Sequence, residues 1–388
     1  MPSVYVNIKP EIINWVLNQI QDDILEENMI NNIKAWLNGT KTPTFNQIED
    51  LSRKTNIPLG YFFLQTPPEE KIDLLEYRTI DSIQLAKPSR NLIDTIYHME
   101  RIRDWMKDYR LEMGFDILPV VGCMENVDDI STITKRIRND LELNETWYEL
   151  CSNTREAFNF IRDRLEACGI IVMMSGIVGS NTHRLLDINE FRAFVMVDKW
   201  APIIFINATD SDGARLFSLL HEAVHIWIGK DDLFNDRYDI TNGVSSTEKL
   251  CNAVTAELMV PKDIFINKWN EINETDVFDT ITRLAKYFRC GEVVIARRAK
   301  DCNKINQDVY NHVVETAIEN YNKIKEKQED NGGNYYNTMI SRLDGCFVRA
   351  LCESINIGRT SYTEAYRLTN TSPKTFAEVA QRLGGMLW

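Results

Sequence analysis

Positive charge is in short supply along this chain. Its 44 Lys and Arg stand against 57 Asp and Glu, a formal net charge of −13 over 388 residues. Such a surface repels phosphate, which opposes non-specific nucleic-acid binding by the whole molecule, though not a local basic patch. No apolar run approaches the ~18 residues that suggest a membrane span. No charged-then-apolar leader opens the chain, so neither secretion nor membrane insertion is expected. The eight cysteines are scattered without a CxxC pair. That usage fits reduced, buried thiols in a cytoplasmic protein rather than a disulfide framework or a zinc ribbon. What remains is an ordinary globular composition, 44% hydrophobic and 26% charged, long enough for two or three domains.

Histidine is rarer still, and its placement carries the chemistry. Two of only five histidines fall four residues apart, at His221 and His225, within the run from Phe217 to Gly229. On a helix that spacing sets two imidazoles on one face, about one turn (~5.4 Å) apart. Two neutral histidines so placed can bind Zn²⁺, and Glu222 between them completes HExxH as a general base for water. The bland alternative is a buried helix with two hydrogen-bonded histidines.

A third ligand is at hand. A polar stretch from Lys230 to Ser246 precedes a new helical pattern, which Ser245, Ser246 or Thr247 can cap and Pro261 ends. Glu248 lies in its first turn and shares a face with Asn252. Catalytic zinc sites with two histidines and one glutamate keep a fourth position for water. Glu248 is therefore read as the third ligand, with Asn252 hydrogen-bonding a ligating group. As an ordinary first-turn acid Glu248 would merely suit the helix dipole. Glu257 is the rival ligand, on a different face, and Cys251 reads as a core residue.

With these pieces in place, the run from Glu190 to Pro261 resembles the ImmA/IrrE family of zinc metallo-endopeptidases. The segments that match are Glu190 to Phe194, Ala201 to Asn207, Phe217 to Gly229, Glu248 to Asn252 and Met259 to Pro261. The resemblance implies a gluzincin-type site holding one zinc ion through His221, His225 and Glu248, with Glu222 as catalytic base. It also implies a cut in a selected partner protein, such as a repressor or antitoxin, rather than general digestion.

The amino-terminal part reads as short helices broken by turns at residues 38–43 and 56–58. This suits a helix-turn-helix bundle. The stretches from Trp36 to Ser52 and Ile57 to Leu64 resemble the Xre-type helix-turn-helix found fused to such peptidases. The candidate recognition helix, Glu26 to Lys34, departs from a DNA reader. Residues 1–71 hold six Lys/Arg against nine Asp/Glu, a balance that repels phosphate unless the basic residues cluster. Asn28, Asn31, Asn32 and Lys34 could still contact bases, so DNA contact and protein contact both stay open. Glu76 to Thr79 resembles a short motif of the same family.

Further on, Leu92, Ile96, Met99, Ile102 and Met106 mark a helix face, with His98 read as a packing or surface residue. Trp147 reads as a core anchor. Strands are expected at residues 169–175, 191–197 and 203–207. Arg192 is a candidate donor to the developing oxyanion, or a plain strand arginine. His183 and Tyr238 are loop residues that could approach the reacting water. Phe278–Phe288 and Glu292–Lys300 form another helix pair, whose basic spot is Arg297, Arg298 and Lys300.

The expected fold is α+β. A helix-turn-helix bundle (1–66) and a helical linker region (67–150) precede a zincin-like peptidase domain with a small mixed sheet (151–265) and a helical end (266–388). The expected function is a zinc endopeptidase making a regulatory cut. The alternative is a non-catalytic regulator or antitoxin-like protein that uses the same fold to bind a partner or DNA, a role that does not require Glu222.

Overall fold

The structure is a computed structural model that describes residues 3–20, 25–70, 88–234, 246–272, 276–327 and 335–386. It divides into two compact units, one taking the described residues up to Ile96 and the other those from Tyr97 onward. The expected Glu76–Thr79 motif lies outside the described residues, as does Tyr238.

In the first unit, α1 (Pro10–Gln19), α2 (Glu27–Leu37) and α3 (Phe45–Thr55) are followed by a 3₁₀ turn, Leu59–Phe63. Pro10 opens α1, where its missing N–H costs nothing. Thr44 caps α3 through Gln47 in a reciprocal capping box, and Asn56 ends it in the left-handed region at φ 56°. Apolar residues at helical spacing, among them Ile12, Val16, Ile33, Trp36, Ile48 and Leu51, close the unit's core with Phe62.

The boundary between units falls within α4 (Arg90–Glu112), whose predicted face from Leu92 to Met106 is buried. Then come α5 (Ile130–Asp140), a 3₁₀ turn at Trp147–Leu150, α6 (Thr154–Ala167), β1 (Ile171–Ser175), β2 (Ala193–Met196) and β3 (Ile203–Asn207). The helix α7 (Asp212–Ile228), β4 (Asp232–Phe234) and α8 (Ser246–Met259) follow. The sheet runs β1-β3-β2-β4, with β1 and β3 parallel and the other pairs antiparallel.

Alternation decides what each face of the sheet meets. Val172, Met174, Ala193, Val195, Ile204 and Ile206 join the core that contains α7. Ile171, Met173, Phe194 and Phe205 are buried on the other face, where the rings of Phe194 and Phe205 stack at 5.1 Å. Both faces being covered explains why these strands read as continuous apolar runs. The three expected strands are present, each within its expected span. β4 was not expected, because three residues inside a charged stretch show no alternation to read.

Beyond α8 come α9 (Lys262–Glu271), α10 (Val277–Phe288), α11 (Glu292–Asp301), α12 (Gln307–Lys327), α13 (Tyr335–Arg342), α14 (Gly345–Asn356), α15 (Tyr362–Thr369) and α16 (Pro373–Arg382). One core joins Val120, Ile133, Trp147, the sheet, α7, α8, α10, α11 and Val314. The boundaries expected at residues 150 and 265 therefore fall inside a single core. Trp147 shows why: fully buried, it donates its indole N–H to the Leu258 carbonyl at 3.0 Å. Among the described residues no helix is long and apolar enough to cross a membrane.

Candidate metal centre

The helix α7 holds its register at both ends. Ser211 caps its start by accepting from the Ala214 N–H, and Gly229 ends it at φ 80°, donating to the carbonyls of His225 and Ile226. A strap of chain crosses that end: the Gly122 and Met124 N–H groups donate to the Ile226 and Trp227 carbonyls at 2.9 and 2.8 Å. These bonds satisfy carbonyls that a helix end leaves open. Trp227 anchors the same turn by donating to Asp140 Oδ2 at 2.8 Å.

On this fixed helix His221, Glu222 and His225 are all buried. The two imidazoles turn their Nε2 atoms toward each other at 3.2 Å. Glu248, in the first turn of α8, meets both: Oε2 lies 3.1 Å from His221 Nε2 and Oε1 lies 3.1 Å from His225 Nε2. Burial pushes the Glu248 carboxyl up, but hydrogen bonds from His221 and then His225 outweigh it and hold the group well below the usual carboxylate range. That favours the charged form, which a metal ligand requires.

This donor set suits zinc. A tetrahedral ion with bonds of ~2.0–2.1 Å would keep its ligand atoms about 3.3 Å from one another. Two imidazole nitrogens and a carboxylate at 3.1–3.2 Å are close to that spacing. One turn after Glu248, the buried Asn252 Oδ1 has no hydrogen-bond partner among the described residues. A buried polar atom left open beside a ligand suits a role in orienting a bound group. Phe217 stacks on His221 with ring centroids 6.1 Å apart. This contact was passed over in the sequence, although the i, i+4 rule that paired the histidines also predicts it.

Arg192, His183 and Glu257 show other contacts. Arg192, just before β2, forms an ion pair with Asp210, whose side chain is 5% exposed. His183 is exposed in a turn where its N–H donates to Asn181 Oδ1 at 3.0 Å. Glu257, the rival ligand, binds Arg298 Nη2 at 3.1 Å and accepts from the Lys262 N–H. Arg297 pairs with Asp301, and Lys300 sits over the Tyr310 ring. The basic spot on α11 is therefore spent on internal partners. In the first unit, Lys54 is likewise engaged by Glu26 at 3.0 Å and Asp50 at 3.7 Å.

Residues 166–300, which contain every member of the metal cluster, match the family described as the IrrE N-terminal-like domain. That segment is thus similar to a metallopeptidase-type domain. Residues 343–382 match a domain of unknown function. No curated protein and no solved structure matches the chain.

Proposed function

We propose that this protein is a zinc-dependent endopeptidase that makes a selective, regulatory cut in a partner protein such as a repressor or antitoxin. The observation that carries the reading is the meeting of His221, His225 and Glu248 within 3.2 Å, with Glu222 buried on the same helix. A zinc ion held by these three residues supplies Lewis acidity toward a peptide carbonyl and toward water.

The chain's own residues do the rest. Glu222 follows His221 directly and is the i, i+3 neighbour of His225 on α7, so it adjoins the face that carries the ligands. Its carboxylate takes a proton from the attacking water and later passes it to the leaving amine, acting as base and then as acid. Burial of α7 keeps bulk water from competing for that proton. Selectivity comes from the attached helical segments; those before the peptidase-like region, residues 1–150, hold 16 Lys/Arg against 25 Asp/Glu and suit protein contact better than phosphate.

Zinc content of the purified protein, followed by incubation with the products of neighbouring genes, tests the proposal. One zinc per chain, lost in His221→Ala, and a discrete cut in one partner are expected. Full zinc occupancy in His221→Ala would overturn the ligand set. Zinc binding with no cleavage of any candidate would favour a binding-only regulator.

A further inference from the structure

Among the described residues, the outer edge of β1 is finished by two side chains rather than by another strand. Val172 turns its backbone away from β3. Its N–H donates to Asp344 Oδ2 at 2.9 Å, and its carbonyl accepts from Arg162 Nη2 at 2.9 Å. The same guanidinium donates to the carbonyls of Ser341 at 2.9 Å and Leu343 at 2.5 Å, and to Glu166 Oε1 at 3.0 Å. Asp344 also caps α14, its Oδ1 accepting from the Phe347 N–H at 2.7 Å. A buried arginine and a buried aspartate thus fasten the start of the 343–382 segment to the sheet.

Glu166, at the end of α6, closes the group. Its carboxylate, Asp344 and the Cys346 thiol bring ligand atoms within 4.8 Å of one another. Their surroundings do not suit a metal ion. Arg162 holds Glu166, both Asp344 oxygens accept N–H groups, and Arg349 Nη2 donates to Cys346 Sγ at 2.9 Å. The approach is tight enough that a Cβ on Gly345 would stand 2.9 Å from Arg349 Nη1 and 3.2 Å from Glu166 Oε2.

Two carboxyl groups this close, out of water, do not both ionise without strong repulsion. With both Asp344 oxygens already accepting N–H bonds, the proton belongs on Glu166. Burial, and next the Asp344 charge, push the Glu166 carboxyl up to about 7, against the pull of Arg162. The charged and titratable groups facing it are Arg162 and Asp163 on α6, and Asp344, Cys346 and Arg349 around the start of α14.

We propose that Glu166 and Asp344 share a proton as a latch that fastens the 343–382 segment to the outer edge of β1, and that losing this proton loosens the segment. A carboxyl protonated in the closed form stabilises that form at low pH. Its contribution is complete below the ordinary 4.5 of an open glutamate and fades as pH rises through about 7. The segment is held firmly in mildly acidic conditions and less firmly above neutrality.

Amide hydrogen exchange at Val172 and Phe347 in the full-length protein reads the latch, because both N–H groups bond to Asp344. Corrected for intrinsic exchange rates, protection at both is expected to fall about 30-fold between pH 5.5 and 8, the ratio set by 4.5 open and about 7 closed. In Glu166→Gln a neutral donor toward Asp344 persists at every pH, so protection should stay high and flat. A flat wild-type profile, or a wild-type slope retained in Glu166→Gln, overturns the proposal. Should the variant not accumulate, the wild-type profile alone decides.

Discussion

Replacing Glu222 by Gln separates the proposed base from the proposed metal ligands. The residue is 0% exposed, on a helix buried continuously from Ser218 to Ile228. The amide is nearly isosteric, so the packing volume is kept and stability should change by less than ~1.5 kcal/mol. His221, His225 and Glu248 are untouched, and zinc content should stay at the wild-type level. What disappears is the proton acceptor. General base catalysis contributes roughly 10²–10⁴-fold, which at ~1.4 kcal/mol per tenfold is about 3–5.5 kcal/mol of barrier. Zinc measured by mass spectrometry, thermal unfolding and single-turnover cleavage of the partner protein, on the same preparations, give the three numbers needed. Cleavage within tenfold of wild type at full zinc occupancy would refute the base assignment. Loss of zinc would show that Glu222 instead holds the ligands in place.

Three further outcomes are expected. His98 faces Asn370 Nδ2 at 2.9 Å, and burial, then the Arg101 charge, lower it to about 4 from 6.5. Its neutral form is thus favoured by folding, and the stability it supports is present above pH 6.5 and lost as pH falls toward 4. The loss is at most about 3 kcal/mol, and the unfolding midpoint of His98→Gln should fall less steeply over that range. Gly229→Ala forces a side chain into φ 80° with its Cβ 3.0 Å from Gly122 Cα. It should cost on the order of 2 kcal/mol in denaturant unfolding and weaken zinc binding, since this turn ends the ligand helix. Stripping zinc with a chelator should lower the unfolding midpoint, and restoring it at a hundredfold above its Kd should return about 2.7 kcal/mol. His221→Ala should respond to neither treatment.

Much of the site was legible because it is local. The spacing of His221 and His225 is one helical turn, and HExxH keeps its meaning wherever the helix sits. Glu248 was chosen from its place early in the next helix and from the ligand count zinc needs, and the structure sets it 3.1 Å from both imidazoles. The alternation of the strands and the face of α4 were equally readable, since each is a short-range period. Arg192 could not be judged in the same way. Its partner Asp210 lies 18 residues on, and strand position alone does not tell whether a guanidinium turns to a cleft or to a buried acid. β4 was too short to show a period, and Tyr238 lies outside the described residues.

The candidate donors, the candidate base, the helices that carry them and the acidic character of the chain were all readable before folding, because these follow from composition and from periods of two to four residues. Tertiary structure alone decided that the carboxylate and both imidazoles converge. It also decided that the basic residues of α11 are spent on internal partners and that residues 120–314 share one core. The join between Arg162 and Leu343, 181 residues apart, belongs to the same class. Contacts over such separations depend on how the whole chain packs, and no local pattern encodes them.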